Sequence, residues 1–144
     1  MSRHSPMEVA LAMAEHEGTS RVWKHRIEDV DLERAIVSMT VLPEMVNGLG
    51  VIHGGLAFGL ADTALAYLAC AGDELHVTAT AAVNFLVPAR LGELLTATAT
   101  VVAREGRSTA IDVIVTGEEG RTIATCHGVS RKIGGTVTEA LKRS

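Results

Sequence analysis

The run Asn47-Gly48-Leu49-Gly50-Val51-Ile52-His53-Gly54-Gly55-Leu56-Ala57-Phe58-Gly59-Leu60-Ala61-Asp62-Thr63-Ala64-Leu65-Ala66-Tyr67-Leu68-Ala69-Cys70-Ala71-Gly72 decides the fold. From Gly50 to Gly72 it is nearly all apolar, and its length approaches that of a membrane-spanning helix. His53 and Asp62 interrupt it, and Gly54, Gly55 and Gly59 weaken it. A carboxylate near the middle of a span costs about 3 kcal/mol on insertion scales, and no basic cluster flanks the run. The reading is a helix buried inside a soluble fold. A helix apolar on nearly all sides must be covered on nearly all sides. One strongly curved antiparallel sheet wrapped around it does this, so the expected class is α+β.

Strand-like runs lie on both sides of the helix. Upstream, Arg34 to Leu42 puts Ala35, Val37, Met39 and Val41 on one face and ends at Pro43. Downstream, His76 to Val87 sets Val77, Ala79, Ala81, Val83, Phe85 and Val87 against Thr78, Thr80 and Asn84. Glu93 to Arg104, Ser108 to Thr116 and Arg121 to Lys132 read as three more strands. Breaks fall at Pro88 to Gly92, Glu105-Gly106 and Glu118-Glu119-Gly120. Threonine-rich faces fit half-buried antiparallel strands. At the start, Ser5-Pro6-Met7-Glu8 reads as a capping box with proline at the first helical position. A helix from Pro6 to about Glu17 follows, stopped by Gly18. Arg21 to Ile27 reads as a short edge strand and Asp29-Val30-Asp31 as a turn. The polar segment 134–144 is expected to be a flexible tail.

With 144 residues the chain reads as one domain, 1–144, whose first twenty residues form an N-terminal helical segment. Apolar residues make up 47% and charged residues 21%, a soluble globular balance. Aromatics are only 3%, which argues against a base-stacking surface. The net charge of −4 argues against a general polyanion-binding surface, so no nucleic-acid partner is expected. Cys70 and Cys126 stand apart in apolar stretches and read as buried reduced thiols of a cytoplasmic protein. The N-terminal segment lacks the basic start, apolar run and cleavage site of a secretory signal.

The polar residues around the apolar helix are Asn47, His53, Asp62 and Thr63. Glycines before a helix let the backbone approach a ligand closely. The first helical N–H groups lack partners and sit at the positive end of the helix dipole. Together they suit a carbonyl oxygen that becomes negative in a transition state, although an ordinary glycine turn would look the same. Asp62 is the sharper signal, because an unpaired carboxylate two turns into an apolar helix is expensive. His53 reads either as a site residue or as a helix-start histidine bonded to backbone. His4, His16, His25, His76 and His127 show no mutual metal-ligand spacing, so no metal is expected. Neither a G-x-S-x-G elbow nor a phosphate-cradling glycine loop is present.

Asn47-Gly48, His53-Gly54-Gly55 and Leu60-Ala61-Asp62-Thr63-Ala64-Leu65-Ala66-Tyr67 together resemble the hot-dog-fold acyl-CoA thioesterases, most closely the phenylacetic-acid-degradation (PaaI) family. The likeness continues through Asn84-Phe85-Leu86-Val87-Pro88, Gly92-Glu93 and Lys132-Ile133-Gly134-Gly135-Thr136-Val137-Thr138. The resemblance implies a hot-dog fold and hydrolysis of acyl-coenzyme A without metal or cofactor. It implies Asp62 as nucleophile or as base for a water, and Gly54 as the backbone donor to the thioester carbonyl. It implies Asn47 as the group holding the water or the acid, and His53 as a positioning residue. Thr78 matches a hydroxyl position that supports the site in some relatives. The implied substrate is phenylacetyl-CoA or a ring-hydroxylated relative, cleaved to free acid and CoA in phenylacetate degradation.

Gly54 and Asp62 stand eight residues apart on one expected helix, about 12 Å along its axis. One helix cannot bring both to one thioester carbonyl, so the site is expected to be shared between two chains. This agrees with the resemblance, whose members form homodimers with sites at the interface and commonly homotetramers. Arg90 and Arg107 are candidates for the CoA phosphates, because an acidic chain must place such contacts locally. Two alternatives stay open. One is a non-catalytic acyl-CoA-sensing hot-dog module, which would not need Asp62. The other is a hot-dog enoyl-CoA hydratase, which orders its acid and histidine differently.

Overall fold

The structure, a computed structural model, describes residues 3–143. Helix α1 (Pro6–Glu15) opens under the expected capping box. Glu8 N donates to Ser5 Oγ at 3.1 Å, and Ser5 N donates to Glu8 Oε1 at 3.2 Å. Gly18 starts a second helix, α2 (Gly18–Trp23), which Lys24 closes in the left-handed conformation at φ 56°. Strand β1 (Arg26–Val30) follows. The edge strand expected from Arg21 therefore begins later, and Asp29 and Val30 belong to it and not to a turn. The reversal sits at Asp31, whose Oδ1 accepts from Glu33 N and Arg34 N, both at 2.8 Å. The sequence misleads here because Trp23 serves a helix. Its indole lies over Gly59, where a Cβ would come within 2.7 Å of the ring.

Strand β2 (Arg34–Thr40) leads through a 3-10 turn at Pro43–Met45 to helix α3 (Gly54–Ala69). Then come β3 (Glu74–Phe85), β4 (Leu94–Glu105), β5 (Ser108–Thr116) and β6 (Thr122–Thr136). The expected strands from Arg34 onward are thus all present, with ends displaced by a few residues. They form one antiparallel sheet in the order β1-β2-β4-β5-β6-β3. The sheet packs against α3, and this is the α+β architecture that the apolar helix demanded.

Small residues let the helix sit close. Ala35, Ala97, Ala99 and Ala124 are fully buried on the strands. Gly128 lies under Leu65, and a Cβ there would overlap Leu65 Cδ1. Leu60 and Leu65 on α3 are fully buried, and each such leucine stabilises by about 2 kcal/mol. No helix among the described residues is long and apolar enough to cross a membrane. Cys70 and Cys126 are both free and buried.

The expected loose tail is a docked element. β6 runs on to Thr136, and helix α4 (Val137–Leu141) follows with Val137 buried. Thr136 Oγ1 accepts from Glu139 N at 3.2 Å, capping α4. Asp73 accepts from Thr138 N at 3.0 Å and from Thr138 Oγ1 at 2.8 Å. The tail is polar because its polar groups cap and tether, which composition alone does not show.

A buried polar cluster joins the N-terminal segment to α3. His25 Nε2 lies 2.8 Å from Tyr67 Oη and 3.7 Å from Glu17 Oε2, while His25 Nδ1 has no partner. Burial pushes the His25 pKa down, with the Glu17 charge pulling the other way. Burial likewise pushes the Tyr67 hydroxyl up. The native state therefore prefers neutral His25. That preference contributes fully above the ordinary histidine value of 6.5 and is lost as pH falls through the lower folded value. Melting curves should show the midpoint falling between pH 7 and pH 5. His25→Gln, which keeps a partner for Tyr67, should reduce that fall by about 3 °C. An equal fall in both proteins would show that His25 is not the group responsible.

Candidate active site

The turn into α3 is built by backbone pairing. Asn47 N donates to Val51 O at 2.8 Å, and Gly50 N donates to Asn47 O at 3.0 Å with Gly50 at φ 79°. Asn47 Oδ1 accepts from Leu49 N at 2.9 Å and from Val51 N at 3.4 Å. Its oxygen thus holds the loop, and its Nδ2 group makes no hydrogen bond within the described residues. His53 N donates to Met45 O at 2.8 Å, which fixes the residue before the helix.

His53 is the N-cap of α3, and its Nδ1 accepts from Gly55 N at 2.9 Å. The bland reading of His53 as a helix-start histidine is what its ring does in this chain. Gly54 N is left without an acceptor among the described residues, at the positive end of a sixteen-residue helix. A Cβ at Gly54 would stand 3.2 Å from the Phe85 ring, so glycine lets that ring cover the helix start. A cavity of about 270 Å³ opens beside it, lined by Ile52, Gly54, Ala57, Phe85, Leu86 and Val87 among others.

Asp62 is half-buried two turns further along α3, and its Oδ1 accepts from Thr78 Oγ1 at 2.9 Å. Thr78 reaches it because of a bulge. Thr78 pairs with Ser130, but the next pair is Thr80 with Val129, so Ala79 is an extra residue. Thr78, Ala81 and Val83 then lie opposite Ser130, Gly128 and Cys126, and these three residues of β6 are buried. The simple alternation expected for this strand placed Thr78 on the same side as Thr80 and Asn84. That expectation is corrected by the bulge, which a period of two cannot reveal.

The remaining candidates divide between the two ends of α3. Arg90 is exposed beside the Gly54 turn, where it bridges Val51. Arg107 is exposed at the β4–β5 hairpin, where its carbonyl accepts from Lys132 N at 2.8 Å. Lys132 and His76 line a larger cavity of about 630 Å³ at the C-terminal end of α3, with Leu68, Ala69, Arg104 and Thr109. So the chain groups Asn47, His53, Gly54 and Arg90 at one end. It groups Asp62 with Thr78 elsewhere, and it does not bring the two sets together. Cys126 feels the Asp62 charge, and its thiolate is disfavoured: burial pushes its thiol up, and the Asp62 and Asp112 charges push it further. Among the described residues no three His, Cys, Asp or Glu side chains converge as a metal site.

β3 is an edge strand. β6 pairs with one side of it, and its other side has no strand neighbour among the described residues. Val77 is 48% and Phe85 56% exposed on it, high for large apolar residues on one strand.

Known proteins share this arrangement. The thioesterase superfamily profile matches residues 49–124. The acyl-coenzyme A thioesterase PaaI of Escherichia coli (strain K12) is 39% identical over 137 residues, spanning 94% of this chain and 96% of that protein. The solved structure of the E. coli PaaI protein from the phenylacetic acid degradation operon superposes with a TM-score of 0.88 at 34% identity, over 91% of this chain and 95% of that one. A hypothetical thioesterase from Streptococcus pneumoniae TIGR4, solved with coenzyme A, shares the fold at a TM-score of 0.75 and 24% identity, over 78% and 88% of the two chains.

Proposed function

We infer what the site does from one premise: the chain belongs to the thioesterase superfamily. It is a hot-dog-fold acyl-CoA thioesterase of the PaaI type. The acyl group it prefers is phenylacetyl or a ring-hydroxylated phenylacetyl, released as the free acid during phenylacetate degradation. What supports this choice is the operon and the name carried by its E. coli relative. The soluble fold and two free cysteines support a cytoplasmic location.

One observation carries the mechanism. A carboxylate held by Thr78 and an unpartnered Gly54 N–H lie on the same helix, eight residues apart. At about 1.5 Å per residue they are about 12 Å apart along the axis, too far to serve one carbonyl. The unpaired edge of β3 supports pairing with a second copy, which would carry its own Gly54 turn to this chain's Asp62. A homodimer with two shared sites results, and a homotetramer is a pair of such dimers. Arg90 would then come from the chain that gives Gly54, and Arg107 from the chain that gives Asp62. Both are suited to CoA phosphates at the site's two flanks.

In that site the Gly54 N–H polarises the thioester carbonyl and meets its oxygen as negative charge develops. Asp62 either attacks the carbonyl carbon or takes a proton from a water that attacks it. Thr78 holds the carboxylate in one rotamer. Asn47 would hold the attacking water or the acid through Nδ2, its Oδ1 being taken up by the loop, and His53 keeps the helix start in shape through Gly55. Every group used in this proposal belongs to the chain.

The test is thiol release from a panel of aryl and aliphatic CoA thioesters. Phenylacetyl-CoA and its ring-hydroxylated forms should exceed straight-chain thioesters of similar size in kcat/KM by about tenfold, the scale of one well-filled pocket. Equal rates across the panel would remove the aryl assignment and leave the thioesterase. Tight binding with no turnover would instead favour a sensing module.

A further inference from the structure

Glu93 is a carboxylate buried to 5% exposure, and its bonding partners come from separate segments. Arg90 N donates to its Oε1 at 2.9 Å, and Glu118 N donates to its Oε2 at 2.9 Å. Arg121 Nη2 pairs with the same Oε2. Burial pushes this carboxyl up, but the three donors outweigh burial and hold it below the ordinary carboxylate range. There is no spare room: a Cβ at Gly117 would overlap Glu93 Oε2. Such a buried pair is weak evidence for stability, because desolvation offsets most of the attraction. Its geometry points elsewhere.

Arg121 carries the link toward the helix start. Its Nη1 donates to Pro88 O at 3.1 Å. Residues 85–88 form the wall of the cavity over Gly54. The next two residues meet the turn before α3 backbone to backbone: Ile52 N donates to Ala89 O at 2.9 Å, and Val51 bridges Arg90. One carboxylate and one guanidinium thus pin both ends of the strip 88–90, and the strip holds residues 51–52. Gly54 follows two residues later.

We propose that Glu93 and Arg121 are a positioning pair for the Gly54 N–H, fixing the strip on which the turn before α3 is docked. Neither residue touches the reacting atoms. The kinetic consequence rests on the thioesterase reading, whereas the structural consequence does not. Displacing an oxyanion donor by a fraction of an ångström weakens it more in the transition state than in the ground state. The pair should therefore act on kcat and leave KM nearly alone.

The variants are Arg121→Lys and Glu93→Gln, with Glu119→Gln in the same turn as a control. Arg121→Lys keeps a cation for Glu93, so the fold is retained, but a lysine cannot also hold Pro88 O in the guanidinium's fork. Its kcat for phenylacetyl-CoA should fall about tenfold to a hundredfold with KM within about threefold. The infrared stretch of a carbon-13 carbonyl in a bound ketone analogue, with CH2 in place of sulfur, should return toward its free position. Glu119→Gln should match wild type in both. A folded Arg121→Lys protein with wild-type kcat and carbonyl stretch overturns the proposal. Hydrogen exchange at the Ile52 and Gly55 amides, which donate to Ala89 O and His53 Nδ1 and are measured without ligand, separates the two readings. Faster exchange there in Arg121→Lys and Glu93→Gln supports the positioning role even if no thioester is hydrolysed. Unchanged exchange overturns it even if hydrolysis is confirmed.

Discussion

Asp62→Asn should fold normally and lose nearly all turnover, with kcat falling by about 10³-fold or more. Asparagine has the shape of aspartate, and its oxygen still accepts the hydrogen bond from Thr78 Oγ1 that holds the side chain at 2.9 Å. Nothing in the packing of α3 has to move. What disappears is the negative charge, and with it both the nucleophile and the general base. A loss of that size is about 4 kcal/mol of transition-state stabilisation. KM should stay near the wild-type value, because the amide neither blocks the cleft nor contacts the CoA moiety. If Asp62→Asn keeps a tenth of the wild-type kcat, the assignment of the carboxylate is wrong. Single-turnover hydrolysis in heavy-oxygen water then decides its route in the wild-type enzyme. Label in the Asp62 carboxylate marks covalent attack with water opening the anhydride at the aspartyl carbon, and its confinement to the released acid, with no acyl-enzyme trapped on rapid quench, marks a water activated by a base.

A second experiment reads the shared site directly. Gly54→Pro replaces the N–H by a ring methylene at a position whose backbone proline tolerates. Proline suits the first position of a helix, and His53 before it is already extended at φ −65° and ψ 134°. The Phe85 ring must yield a few tenths of an ångström. Alone, Gly54→Pro should lower kcat by about 10²- to 10³-fold, as loss of one oxyanion donor does. Unfolded and refolded together in equal amounts, Gly54→Pro and Asp62→Asn chains should recover about a quarter of the wild-type activity. Half the dimers are then mixed, and each mixed dimer has one of its two sites intact. A site made within one chain predicts no recovery at all.

The sequence was most legible where one residue type forces one outcome. A nearly unbroken apolar run required cover, and the fold buries the face of α3 that carries Leu60, Ala61, Ala64, Leu65 and Leu68, while Phe58, Asp62 and Ala66 stay half-buried. A carboxylate in that run required a partner, and Thr78 supplies it. The twelve-ångström argument needed only helix rise, and the two separate groups of side chains agree with it. What was not legible depends on contacts between distant residues. The bulge at Ala79 turns Thr78 toward the helix without changing the local pattern. Helix α2 looks like a strand until Trp23 is seen lying on Gly59. Glu93 read only as the start of a strand and as part of the Gly92-Glu93 pair. Its partners Glu118 and Arg121 lie in the turn before β6, too far along the chain for any spacing rule. The tail read as loose because its anchor, Asp73, sits in a different loop.

The strand order has a bearing on when the enzyme becomes one. β3 does not pair with its neighbours in sequence; it waits for β6, whose Ser130 meets Thr78 about fifty residues downstream. A ribosome delivers α3 and its carboxylate long before it delivers that partner. During the interval Asp62 has no fixed threonine, and the strand beside it has no hydrogen-bonded neighbour on either edge. The fixed pair of Asp62 and Thr78 thus arrives only with the last strand of the sheet.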